Sequence, residues 1–173
     1  GLITNSFLKR NDAREVLISK DKIQIKKLKP NSVIGTSSFR REFQLKQIRK
    51  DLNYKLIRGN IDTRINKFKE NLYDAIVLAY AGISSLNLNN YVSHAFEIDE
   101  MLPSAGQGVI ALQSKVDDNL INKLLYKVNH KATHLSVKSE RNVLKVLDGD
   151  CETAIGVYSN IKEDIIELKA ELF

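Results

Sequence analysis

Apolar positions change their spacing several times along the chain, and each change marks an element. Residues 14–19, REVLIS, form a short run suited to a strand. Val33 and Ile34 read as the end of a buried strand, with Gly35 permitting a tight turn. Phe39, Phe43, Ile48 and Leu52 then recur at helical spacing and predict a helix over 39–52. A strand over 54–57 and the turn Arg58-Gly59-Asn60 lead into a second helix, marked by Ile61, Ile65, Phe68 and Leu72. Residues 74–80, DAIVLAY, are almost continuously apolar, as in a parallel strand covered on both faces. Alternating strands and helices predict an α/β domain with a central, mainly parallel sheet.

The pattern breaks at 102–108, LPSAGQG, where one Pro and two Gly residues predict a domain crossing, with 103–108 as a hinge and Gln107 reaching a ligand from it. Beyond it, 109–113 reads as a strand and 118–128 and 132–147 as helices. DGDCETAIGVYS gives a loop carrying Cys151 and then a strand, for which 165–173 is the hairpin partner. The last part, from 128, reads as a small α+β module distinct from the α/β part.

Composition narrows the picture only slightly. The chain has 173 residues, of which 43% are hydrophobic, enough for one or two small domains with real cores. No apolar run approaches the roughly 18 residues of a membrane span, so no membrane is expected as a partner. The net charge of +6 suits an anionic partner. Nucleic acid is not expected, because the aromatic residues fall at core spacing rather than interleaving a basic face. One cysteine excludes an internal disulfide and fits a reducing compartment. The chain opens on Gly1 without a signal-peptide pattern and closes at Phe173 within a strand pattern, so a fragment of a longer protein is expected.

The candidate chemistry lies in the arginines. Thr36, Ser37 and Ser38 are helix-capping types, which puts Arg40 and Arg41 in the first helical turn. That end of a helix already carries about half a positive charge, so cations there suit a bound anion. The design repeats at Arg58 and Arg64, with Asp62 or Thr63 as the cap. Open parallel sheets bind ligands outside the carboxyl ends of their strands. Guanidinium groups and helix N-termini around one crevice would hold several carboxylates or phosphates. The alternative is that the arginines are solvated or pair with Glu42, Asp51 and Asp62. Neither glycine turn is a P-loop. His130 and His134 have the i, i+4 spacing of a metal pair, but HExxH and a third ligand are lacking, so no metal is expected. Asp148, Asp150 and Glu152 surround Cys151 in sequence and argue against an activated thiolate.

GTSSFRREFQL, LIRGNIDTRINK, YDAIVLAYAGI, LPSAGQG and NHKATHLSVKSERNVLKVLDGDCETAIGVYS, in this order, resemble the hydroxymethylbilane synthases, also called porphobilinogen deaminases. FLKRNDAREVLIS matches as well, with Ala13 where the family usually has Pro. The resemblance implies a transferase of heme and tetrapyrrole biosynthesis. It would condense four porphobilinogen units, releasing ammonia, into the linear tetrapyrrole hydroxymethylbilane. It implies a dipyrromethane cofactor on a thioether to Cys151, with Thr36, Ser37, Ser38, Arg40, Arg41, Arg58, Asn60 and Arg64 as cofactor contacts. Arg40, Arg41, Arg58, Arg64 and Gln107 would bind the carboxylates of porphobilinogen and the growing pyrrole chain.

By the same resemblance, 14–102 is a periplasmic-binding-protein-like α/β domain holding the crevice. Residues 1–13 and 103–127 are the remnant of a first α/β domain, and 128–173 is a truncated α+β domain. Ser85 stands where the family commonly has an arginine. The family's catalytic aspartate belongs to an absent segment, so the chain by itself should not turn over. A monomer in the cytoplasm or a plastid-type organelle is expected. The competing function is a non-catalytic anion-binding module.

Overall fold

The computed structural model describes residues 1–149, 153–163 and 165–173. Its first strand, β1 (Leu2–Phe7), leaves by residues 8–13 for a central sheet built from β2 (Glu15–Ser19), β3 (Val33–Gly35), β4 (Asn53–Lys55), β5 (Ala75–Ala79) and β6 (His94–Ala95). Helix α1 (Phe39–Ile48) joins β3 to β4, α2 (Ile61–Lys69) joins β4 to β5, and the short α3 (Tyr80–Ser85) follows β5. The strand order is β4-β3-β5-β2-β6. β3 is parallel to both β4 and β5, whereas β2 is antiparallel to both β5 and β6. Four strands therefore share a direction, and β2 opposes them. The parallel setting expected of 74–80 holds on the β3 side of β5 and not on the β2 side.

The apolar run of β5 is explained by two cores, one on each face of the sheet. Side chains alternate along a strand, so Leu17, Ala75 and Val77 pack with Ile34 and with Leu45 of α1 on one face. Val16, Ile18, Ile76 and Leu78 pack with Ile65 and Phe68 of α2 on the other.

Helix α1 differs from expectation in length and in phase. It ends at Ile48 because Arg49 adopts an extended φ of −147°. The Arg49 guanidinium then pairs with Asp51 and donates to the carbonyls of Ile25 and Leu28. The buried face of α1 is Arg40, Arg41, Gln44 and Leu45, while Phe39 and Phe43 are 56% and 42% exposed. The Phe39–Phe43 stripe is thus not the core face. The reason lies under the first turn, where the carboxylate of Glu15 is fully buried and draws the arginines inward.

The return crossing runs beside the outward one. Leu8 N–H donates to Ile110 C=O and Asn11 N–H to Gly108 C=O before β7 (Ala111–Lys115) pairs antiparallel with β1, Leu2 opposite Lys115. Gly108 has φ +79°, and a Cβ there would stand 2.8 Å from the Asn11 carbonyl oxygen, so the crossing admits only glycine. Helix α4 (Asn119–Lys127) buries no residue and leaves Leu120, Leu124 and Tyr126 exposed, as are Leu2 and Ile110 on the ribbon.

Helix α5 (Lys131–Val146) packs on the hairpin of β8 (Ile155–Lys162) and β9 (Ile165–Leu172). His130 and His134 do not form a metal pair: His130 caps α5 by accepting from Thr133 N–H, and His134 stacks edge-on against Phe7. Among the described residues no helix is long and apolar enough to cross a membrane, and no cluster of metal-ligating side chains occurs.

Candidate functional site

Because β2 runs against β5, its first residue, Glu15, sits opposite Ala79 at the carboxyl end of β5. That is the edge where an open sheet receives ligands. Arg40 donates from one terminal nitrogen to Glu15 Oε1 at 2.6 Å and from the other to Leu102 C=O at 2.6 Å. Arg41 places a terminal nitrogen 2.9 Å from Glu15 Oε2 and donates to Val77 C=O at 3.1 Å. The partner of these arginines is therefore Glu15 and none of the carboxylates near them in sequence. Glu42 pairs instead with Lys46 and Asp51 with Arg49.

Burial alone would raise the pKa of Glu15. Arg41 and Arg40 outweigh it and hold the carboxyl below its ordinary value. Burial lowers the pKa of Arg40, with Glu15 opposing, and a guanidinium stays protonated well above neutral pH regardless. Arg41 Nε is buried and has no hydrogen-bond partner among the described residues.

Above this triad lies a cavity of about 680 Å³, walled by Ser37, Ser38, Arg40, Arg41 and Arg64 on one side. Ser104, Arg141, Leu144, Thr153 and Ile155 face them from the crossing segment, α5 and β8. Its described lining contains four guanidinium groups, those of Arg40, Arg41, Arg64 and Arg141, and no carboxylate. Arg64 donates through Nε to Gly59 C=O at 2.7 Å. Burial, and then the charge of Arg41, lowers its pKa. A cation disfavoured by a neighbouring cation gains when an anion enters.

The other expected site residues divide. Ser38 caps α1, accepting from Arg41 N–H, and Thr36 Oγ1 accepts from Ser38 N–H beneath the cavity. Asn60, rather than Asp62 or Thr63, caps α2, and its oxygen accepts from both the N–H and the hydroxyl of Thr63. Arg58 is exposed and stands outside the cavity lining. Gln107 also stands outside it: its amide donates to Ala13 C=O at 2.7 Å and accepts from the Ser104 hydroxyl, which ties the two crossing segments together. Cys151 lies outside the described residues. Sequence reasoning missed Glu15 and Arg141. The signal for Glu15 was a lone acid opening an otherwise apolar strand; Arg141 had none.

A mixed α/β sheet thus carries, at its carboxyl edge, an arginine cavity with no carboxylate among its described lining residues. The chain belongs to the porphobilinogen deaminase family. The family model described as porphobilinogen deaminase, dipyromethane cofactor binding domain, matches residues 1–123, and the one described as its C-terminal domain matches 134–173. The chain is 40% identical over 170 residues to the porphobilinogen deaminase of Chlorobium chlorochromatii, covering 98% of this chain and 54% of that protein. It is 42% identical over 161 residues to that of Caldicellulosiruptor saccharolyticus, covering 93% and 55%. The chain thus spans about half the length of the curated relatives it matches. Among solved structures, a TRAP periplasmic solute binding protein from Xanthobacter autotrophicus with bound β-D-galacturonate overlays at TM-score 0.47 and 11% identity, over 87% of this chain and 51% of that one.

Proposed function

We propose that the full-length protein is a hydroxymethylbilane synthase, condensing four porphobilinogen units with loss of ammonia at each step. The observation that carries this reading is the cavity lined by guanidiniums and free of carboxylates among its described residues. Each pyrrole of such a product bears two carboxylates, so the bound chain is a polyanion that needs this kind of wall. The donor set also fits a dipyrromethane, since Arg41 Nε has no acceptor among the described residues and Arg64 lines the cavity beside Arg41. When bound through Cys151, the dipyrromethane supplies the pyrrole carbon on which the chain is extended.

This chain's own residues bind and orient. Arg64 takes a carboxylate directly, together with the remaining N–H groups of Arg40 and Arg41, while Ser37 and Ser38 donate hydroxyls. Thr36 and Asn60 shape the two turns. Arg58 takes carboxylates that reach past the cavity, and Gln107 acts from the crossing by holding it to Ala13. We assign 14–102 to the crevice domain, 1–13 with 103–127 to a first α/β domain, and 128–173 to a C-terminal one. The uncovered Leu2, Ile110, Leu120 and Leu124 support a first domain with further elements. A reducing, cytoplasmic setting would keep the thiol of Cys151 available to the cofactor.

The intact mass of the full-length protein tests this reading. A dipyrromethane adduct should appear on the peptide containing Cys151 and vanish in Cys151→Ser, together with activity. Full activity with an unmodified Cys151 overturns it. Arg64→Leu, which removes no ion pair from the fold, should leave the melting temperature nearly unchanged. It should weaken chain elongation by about 1.5–3 kcal/mol per lost contact, the usual range for a charge-assisted hydrogen bond. A lowered melting temperature with normal elongation would make Arg64 structural.

A further inference from the structure

The wall of the cavity opposite α1 and α2 belongs to α5, and α5 is fixed in place by one buried carboxylate. Glu140 is 0% exposed. Its Oε1 accepts from Arg10 at 2.5 Å, from Ser159 N–H at 2.8 Å and from the Ser159 hydroxyl at 2.9 Å. Its Oε2 accepts from Gly106 N–H at 2.7 Å. The outward crossing, the return crossing and β8 therefore all converge on α5 at this residue. The next residue, Arg141, is turned by roughly 100° on a helix of 3.6 residues per turn. It is exposed, borders the cavity, and makes no hydrogen bond or ion pair with a described residue. Among the described residues this cation meets no partner, and it is held in fixed register toward a pocket that already contains three other guanidiniums.

We propose that Arg141 is a further ligand-binding residue, which takes a carboxylate of the bound pyrrole chain from the side of the C-terminal module. This rests on the polycarboxylate reading of the cavity. The ligand then bridges two parts of the molecule, with Arg64 contributed by the central sheet and Arg141 by α5. The contact is a charge-assisted hydrogen bond, bidentate where the carboxylate lies coplanar with the guanidinium.

The test uses the full-length enzyme with its cofactor attached and compares Arg141→Gln, Arg141→Lys and Arg64→Gln. Arg141→Gln should raise KM for porphobilinogen, or deplete the later enzyme–pyrrole adducts seen by native mass spectrometry, by about tenfold or more. Its melting temperature should stay at the wild-type value, and Arg141→Lys, which keeps a cation, should recover part of the loss. Wild-type KM and adducts in Arg141→Gln beside an impaired Arg64→Gln would place α5 outside the site while leaving the polycarboxylate reading intact. Wild-type behaviour in both variants would remove the polycarboxylate reading and this proposal with it. A loss that follows a lowered melting temperature, equal in Gln and Lys variants, would make Arg141 structural and overturn the proposal.

Discussion

Arg40→Leu should destabilise the folded protein by about 3–5 kcal/mol, the usual result of breaking a buried ion pair by removing one partner. From sequence alone, removing this arginine should relieve its conflict with the α1 dipole. The structure reverses the sign. Arg40 donates to Glu15 and to Leu102 C=O, and Glu15 is fully buried. Leucine would fill the volume but leave the buried carboxylate with Arg41 as its one remaining described cation. Arg40 also joins β2 to the return crossing, since Leu102 N–H is bound in turn by Gln44. Denaturant melts of the full-length protein measure this, and a midpoint equal to wild type would refute it. Because the Glu15 pKa is depressed in the folded state, its contribution is fully present above the ordinary glutamate pKa of about 4.5. It is lost as pH falls through the lower folded value. The gap between wild type and Arg40→Leu should therefore narrow in acid.

Glu140→Ala should cost a comparable 3–5 kcal/mol, but the loss should be local to the C-terminal module. Its carboxylate satisfies the Arg10 guanidinium, Gly106 N–H and Ser159 N–H at once, and all three lose their acceptor together. Hydrogen exchange should accelerate first along β8 and at Gly106, with the central sheet protected until global unfolding. A double-mutant cycle with Arg10→Met separates the pair from the backbone contacts. Uniform acceleration across the molecule would show that Glu140 has no special place in joining the module to the crossings.

The elements legible in the sequence are those whose period follows from burial. β5 was visible because both its faces are covered, and α2 because Ile65 and Phe68 repeat toward one core. The arginine-rich turn at the head of α1 was visible as a conflict with the dipole, and the cavity at the carboxyl edge followed from it. What resolves the conflict was not legible. Glu15 lies 25 residues before Arg40 on β2, the strand that opposes the other four of the central sheet, and no local pattern records strand direction. The phase of α1 failed for the same reason, since Phe39 and Phe43 are apolar but the buried acid selects the opposite face. Asn60 and His130 became caps through side-chain geometry that composition leaves open among Asn, Asp, Thr and His.

The ribbon of β1 and β7 bears on how the chain is made. Leu2 finds its partner at Lys115, so the first strand cannot close its ladder until more than a hundred further residues have left the ribosome. Closing so long a loop costs only slowly rising entropy, but it delays pairing. At typical synthesis rates of about 5–20 residues per second, the side of β1 that takes β7 stays open for roughly five to twenty seconds. The central sheet needs nothing from β1 or β7 for its own pairings and is complete at β6. It can therefore fold within that interval and bring Glu15 and Leu102, the two ends of the crossings, together through Arg40. The late strand is then delivered to a partner already held beside it, which shortens the period in which an unpaired edge could recruit another chain.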